Sequence, residues 1–429
     1  MVKLLIIGCI VCFPAMLRAV PNTILGPIAA ANSPLNGRDL TPELTAVGLW
    51  KGDGKLPGEW QQEARVASAE ISHLLARPKF LGQDVVLLRA TRRDGRLVGI
   101  DATFVDAGSY FGYFDEKLPE GLSRRAAREE IAQRMAKRQT EFAGMYQNTL
   151  GALEEKLAAL PDAARPKTTR VGHTRTLRGE VKDFRTGDLV FRLLAADQRL
   201  IRVSVAPAGE LAESWLDPSL EGLAPRERLP RLKETVRKDV DGTVSIGGLE
   251  PVPQGYRPYC GLNSLAMAAR HFGLHVDEDW LAAAGGFKNT GSADGSDILG
   301  LYPAVAAEAG FSMARSSRFD EHAVRRALDA GFPVIVWRRF SMERDKLHTR
   351  FAREYAGDSE VALPDPALPT ERASWPGADA PLHASVLTGY HPERREILFL
   401  ESWTGKDTPR RMRVEEMAAT AYLTFVFQP

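Results

Sequence analysis

The sequence predicts an α+β protein in two parts, with the boundary near residue 245. Three observations carry that prediction. The first half alternates strand pairs with one long charged helical segment, residues 218–245 are charged and punctuated by Pro and Gly, and the second half sets an Ala-rich helix ahead of apolar strand runs. At roughly 150 residues per domain, 429 residues make two or three domains. Hydrophobic residues at 44% and charged ones at 26% match ordinary globular usage. With 56 Lys+Arg against 55 Asp+Glu, the chain lacks the basic excess of a nucleic-acid binder. Three cysteines are too few for a disulfide scaffold.

Taken in order, residues 1–20 read as a signal peptide. Lys3 precedes the apolar run Leu4 to Phe13, and small residues follow at Ala15 and Ala19. The run is shorter than the about 20 residues a membrane span needs, so the expectation is export to the periplasm or medium, with no span in the mature chain. Ile6-Ile7-Gly8-Cys9 resembles a lipoprotein cleavage box, but leaves the apolar region short. Removal near Ala19 would take Cys9 and Cys12 with it and leave one thiol, Cys260.

Residues 21–56 read as coil, and 58–75 as a helix stopped by Pro78. Val85 to Ala90 and Leu97 to Val105 read as strands joined at Arg93-Asp94-Gly95. Ser123 to Leu160 is a helical segment with Ser123 as N-cap and Pro161 as stop, and Gly144 and Gly151 are candidate breaks in it. A second hairpin pairs Leu189–Ala195 with Leu200–Val205. These elements make residues 21–245 an α+β domain, with the linker at about 218–245.

In the second half, Gln254-Gly255-Tyr256-Arg257-Pro258-Tyr259-Cys260-Gly261 runs into a helix that carries Leu265, Ala268, Ala269 and Phe272 at helical spacing and ends at Gly273. Cys260 therefore starts a helix. The N–H groups and dipole there favour a thiolate, drawing the thiol pKa below its usual value of about 8.5. A nucleophile also needs a base and an oxyanion donor. His383 begins the strand Ala384 to Tyr390, which pairs with Ile397 to Ser402 and so faces Glu401, a carboxylate able to fix the imidazole. Asn263, Asp365 and Asp379 are spare partners for that role. Gln254, six residues before Cys260, has an amide N–H suited to an oxyanion.

These residues resemble a papain-like cysteine peptidase: Gln six before Cys, Cys-Gly opening an Ala-rich helix, His-Ala before a strand ending Gly-Tyr, and Ile397 to Trp403 in place of a strand ending Asn-Ser-Trp. The body between, through Gly291-Ser292-Ala293-Asp294-Gly295 to Phe332-Pro333-Val334-Ile335-Val336, is more similar to bacterial bacteriocin-processing (double-glycine) peptidase-like domains. The resemblance covers roughly residues 250–429. It implies a two-lobe domain over 246–429, helical lobe plus antiparallel β lobe, preceded by a separate α+β domain. It also implies Cys260 as nucleophile, His383 as acid/base, Glu401 as orienter and Gln254 as oxyanion donor. Glu401 stands where the family has Asn or Asp, and Leu382 rather than Gly precedes His383.

The remaining features fit no other chemistry. His271 and His275 are four apart, but Gly273 ends the helix between them and no third ligand follows, so no metal is expected. Nothing implies a cofactor. The Gly285–Gly295 loop lines the cleft by position, and His391 falls in a turn facing solvent. Ser341–Leu382, with eight acids against five bases, reads as a surface loop in preference to a flap. The expected partner is a peptide or protein substrate. The alternatives are a cell-wall peptide amidase or transpeptidase of this fold, or a non-catalytic binding protein. The N-terminal half is open as an inhibitory prosegment regulating the domain in cis, a substrate- or wall-binding module, or a structural partner.

Overall fold

A computed structural model describes residues 32–429 apart from 53, 67–68, 112–120, 162–164, 197, 212–213, 255–256, 288–297, 359 and 404–407. The expected signal peptide and most of the Gly285–Gly295 loop lie outside the described residues. Among the described residues no helix is long and apolar enough to cross a membrane.

The expected coil at 32–52 contains helices α1 (Thr41–Leu44) and α2 (Val47–Lys51). They form because Leu40, Leu44, Leu49 and Trp50 are buried, with the Trp50 indole donating to the Leu44 carbonyl at 2.9 Å. The segment read as a helix over 58–75 is instead a hairpin, β1 (Trp60–Val66) and β2 (Ala69–Leu74). Its polar residues look like the wet face of a helix but have partners in the sheet. Glu63 reaches Arg89 through two hydrogen bonds of 3.0 Å, and such tertiary pairing outweighs local propensity.

Beyond the small hairpin β3 (Lys79–Phe80) and β4 (Gln83–Asp84), β5 (Leu87–Arg93) and β6 (Arg96–Asp106) pair as expected. Asp94 (φ 50°) and Gly95 (φ 79°) provide the two left-handed positions of the tight turn. After α3 (Ala107–Phe111), α4 (Arg124–Ala158) is one unbroken helix of 35 residues, with the Ser123 hydroxyl accepting from the Ala126 N–H. Gly144 and Gly151 do not divide it, because both are exposed while Phe142, Tyr146, Leu153 and Leu157 hold the opposite stripe against the sheet. Strands β7 (Lys167–Val171), β8 (Gly179–Thr186), β9 (Leu189–Ala196) and β10 (Leu200–Pro207) complete an eight-stranded antiparallel sheet, ordered β1-β2-β5-β6-β10-β9-β8-β7.

The expected linker is structured. It folds into α5 (Pro225–Glu234), β11 (Val236–Lys238) and β12 (Val244–Ile246), and β12 pairs with β15 (Leu382–His391) of the second sheet. Its charges are not those of a free tether. Arg228 is buried and donates to the carbonyls of Ala309, Leu220 and Leu223.

The C-terminal part then runs through α6 (Cys260–His271), α7 (Glu278–Ala284), α8 (Ile298–Glu308), β13 (Ser312–Ser316), α9 (Glu321–Asp329), β14 (Val334–Arg339), α10 (Met342–Gly357) and α11 (Pro369–Ala373). After β15 come β16 (Glu396–Leu400), β17 (Arg410–Arg413), α12 (Val414–Thr420) and β18 (Ala421–Gln428). The main path of this sheet is β11-β12-β15-β14-β18-β13, with β16 and β17 continuing from β15. The expected surface loop at 341–382 therefore holds α10 and α11. They are anchored by the buried Arg344, whose guanidinium bonds Glu371 of α11 and Glu416 of α12. His391 is likewise buried, not solvent-facing, and its Nδ1 accepts from the Arg394 N–H.

The two halves share a core. Leu193 and Ile201 face α4, whereas their neighbours Leu194 and Leu200 enter one cluster with Leu265, Leu281 and Phe272. Alternation sends successive side chains to opposite faces, so a sheet buried on both sides needs the near-continuous apolar runs seen in β9 and β10. Trp280 packs so tightly on Gly179 that a Cβ there would lie 1.7 Å from the indole. We expect Gly179→Ala to cost about 2 kcal/mol of stability by overpacking, measured by urea unfolding of the full chain. An unchanged midpoint would mean that the two halves do not pack as described.

Candidate active site

Cys260 is the first residue of α6, and Cys260 to Ala269 are all buried. The helix is fixed against the sheet at Gly261. Tyr302 donates to its carbonyl at 2.7 Å, Trp337 donates to the Tyr302 hydroxyl at 3.0 Å, and a Cβ on residue 261 would sit 3.3 Å from the Trp337 ring. A Gly after Cys260 is thus what lets the helix start approach β14. The first N–H groups of any α-helix have no acceptor within it, so they point their partial positive charge at Cys260.

His383 lies on β15 directly across from Arg338 on β14. Its Nε2 is 2.5 Å from Glu401 Oε2, and its ring also hydrogen-bonds Cys260. The ring is walled by Trp403, 4.5 Å between centroids, and Phe340 at 5.4 Å. Burial alone would lower the His383 pKa. The Glu401 carboxylate, helped by the hydrogen bonds with Cys260 and Glu401, outweighs it and holds the imidazole up at about 9.

Glu401 follows β16 and is 2% exposed. Its Oε1 accepts from Arg338 at 2.7 Å and from the Ser385 hydroxyl at 2.9 Å. Burial would raise its pKa, but the positive charges of His383 and Arg338 bring it down to about 2. Gln254 is buried beside it. Its main-chain N–H donates to the Ser402 carbonyl at 2.6 Å, its Oε1 accepts from the Ser402 hydroxyl at 2.5 Å, and its Nε2 donates to the Arg257 carbonyl at 3.0 Å.

Cys260, His383 and Glu401 therefore meet in one place, and Gln254 is tied to the residue after Glu401. The spare partners do not join them, and Asp379 is exposed. Asn263 donates to the Val252 carbonyl, and Asp365 accepts from the Ala367 N–H. His271 spends Nε2 on the Gly331 carbonyl. Sequence reasoning missed Arg338 and Ser385. The available signal was a charge directly after the apolar run Val334–Trp337, in a strand whose buried neighbours leave it no route to water.

This set of groups can generate a thiolate, hold an imidazolium against it, and orient that imidazolium through a carboxylate. No curated protein matches the chain. Residues 248–429 match the family described as Peptidase_C39 like. The C-terminal part of this chain is accordingly a Peptidase_C39-like domain, a papain-like cysteine peptidase relative of the bacteriocin-processing peptidases.

Proposed function

We propose that this protein is an exported cysteine peptidase that hydrolyses peptide bonds by thiol acyl transfer, its C-terminal part a papain-like two-lobe domain. The observation that carries the reading is His383 held between Cys260 and Glu401. Lys3 with the apolar run behind it supports export. The Cys260 thiolate attacks the substrate carbonyl carbon, forming a C–S bond as the carbonyl electron pair moves to oxygen. The helix-start N–H groups and the Gln254 amide stabilise that oxyanion. Collapse breaks the C–N bond, and His383 gives its proton to the leaving amine. Water, deprotonated by His383, then attacks the thioester; the acid leaves and the thiolate is restored. Every group is supplied by the chain.

The test is hydrolysis of casein-type peptides by the full chain, with muropeptides in parallel. Cleavage of the peptides that Cys260→Ala abolishes supports the reading. Cleavage of muropeptides alone would reassign the substrate to cell-wall peptides. Wild-type and Cys260→Ala proteins of equal activity would overturn it.

A further inference from the structure

An ionised orienter creates an electrostatic problem in this site, because three charged groups are packed where water is excluded. A Cys260 thiolate, a His383 imidazolium and a Glu401 carboxylate sum to one net negative charge, and an uncompensated buried charge disfavours formation of the thiolate. Arg338 is the missing cation. It is 2% exposed, its Nε donates to Ser385 at 3.1 Å, and another guanidinium N–H donates to Glu401 at 2.7 Å. Its guanidinium is flanked by Phe340 and Phe399, 5.7 and 5.1 Å from the ring centroids. Among the described residues, the other charges facing the cluster are Asp345 of α10 and Arg410 of β17, 3.1 Å apart, which cancel as a pair.

We propose that Arg338 is a positioning residue that makes a glutamate workable in this place. Together with Ser385 it holds Oε1, which turns Oε2 to His383, and its charge brings the four-group set Cys260, His383, Glu401 and Arg338 to neutrality. This rests on the nucleophile and base roles proposed above. It carries a specific consequence: the thiolate follows the net charge of residues 338 and 401, so an uncharged pair serves it better than the loss of Arg338 alone.

The test follows alkylation of Cys260 by iodoacetamide from pH 4 to pH 10 in the full chain, read by mass spectrometry. Arg338→Met is expected to move the acid limb up by about one pH unit and to slow alkylation up to about tenfold at pH values below that limb. Arg338→Lys keeps the charge and keeps the wild-type limb. Glu401→Gln leaves one net positive charge beside the thiolate, so its acid limb stays at or below the wild-type value. The double variant Arg338→Met/Glu401→Gln restores neutrality, so its acid limb returns toward the wild-type value. Should either single variant fail to fold, the double variant carries the test, since replacing both members of a buried pair spares the unpaired charge. An acid limb within about half a unit of wild type then supports the proposal. An Arg338→Met profile matching wild type, or a folded double variant whose acid limb stays as high as that of Arg338→Met, overturns it. These outcomes leave the peptidase reading standing. A wild-type Cys260 that reacts like an ordinary thiol would overturn that reading itself.

Discussion

His383→Ala hydrolyses a casein-type peptide on the order of 10⁴-fold or more slowly than the wild-type protein, because nucleophile and base act as a unit and little remains when either is removed. The loss has two sources. Without the imidazole the Cys260 thiol has only the helix start to favour its anion, and burial works against ionisation. No group then stands where His383 stood to protonate the leaving amine. The same histidine sets the alkaline end of activity. Its imidazolium persists to about pH 9, so wild-type hydrolysis falls as pH rises through that value and the ion pair with Cys260 is lost. Glu401→Gln removes the largest influence raising that value, so its alkaline limb moves to lower pH. The measurement is kcat/KM for one peptide from pH 5 to pH 10 in the three proteins. A His383→Ala protein within about tenfold of wild type would contradict the assignment.

A chain beginning at Ser214 does not fold cooperatively. Removing the first sheet uncovers the face of Trp280 that packs on Gly179 and the apolar residues that share a core with Leu194 and Leu200. It also strands charges. Arg202 donates to Asp277 at 2.6 Å, and Arg199 donates to the Tyr259 hydroxyl at 2.5 Å and to the Phe287 carbonyl at 2.7 Å. Tyr259 in turn donates to Asp279 at 2.6 Å, one residue ahead of the nucleophile. Losing one partner of a buried ion pair costs about 3–5 kcal/mol, and whole domains are stable by about 5–15 kcal/mol. Circular dichroism on urea titration should therefore give no sharp transition for the shortened chain. A sharp transition with wild-type reactivity at Cys260 would make the first sheet a detachable prosegment or accessory module. The contacts to Tyr259 give that sheet a more direct role, as the support under the loop that presents the cysteine.

Much of the candidate site was legible in the sequence because its parts sit at element boundaries. Cys260 opens a helix, His383 lies near the start of a strand, and Glu401 directly follows the strand that pairs with it. Arg338 was not legible, since what it does depends on which strand lies beside it. The fold was readable where local chemistry decides structure. The Asp94-Gly95 turn and the Ser123 cap are cases, each satisfied within a few residues. It was not readable where partners are distant. The hairpin at 60–74 looks helical until Arg89 answers Glu63, and the charged stretch around Arg228 looks like a tether until its guanidinium meets the Ala309 carbonyl just past α8. Gly144 and Gly151 weaken a helix locally but sit on its exposed side, where packing of the other side decides.

The most direct test of the central claim is the pH profile of Cys260 alkylation by iodoacetamide in the wild-type chain, beside His383→Ala. A catalytic pair predicts reactivity already near its plateau at pH 6, well below the ordinary thiol value of about 8.5, and an acid limb that His383→Ala shifts upward by two units or more, to about 8.5. A wild-type thiol that titrates at or above about 8.5, with the His383→Ala profile superimposed on it, would make Cys260 a buried structural thiol and contradict the account.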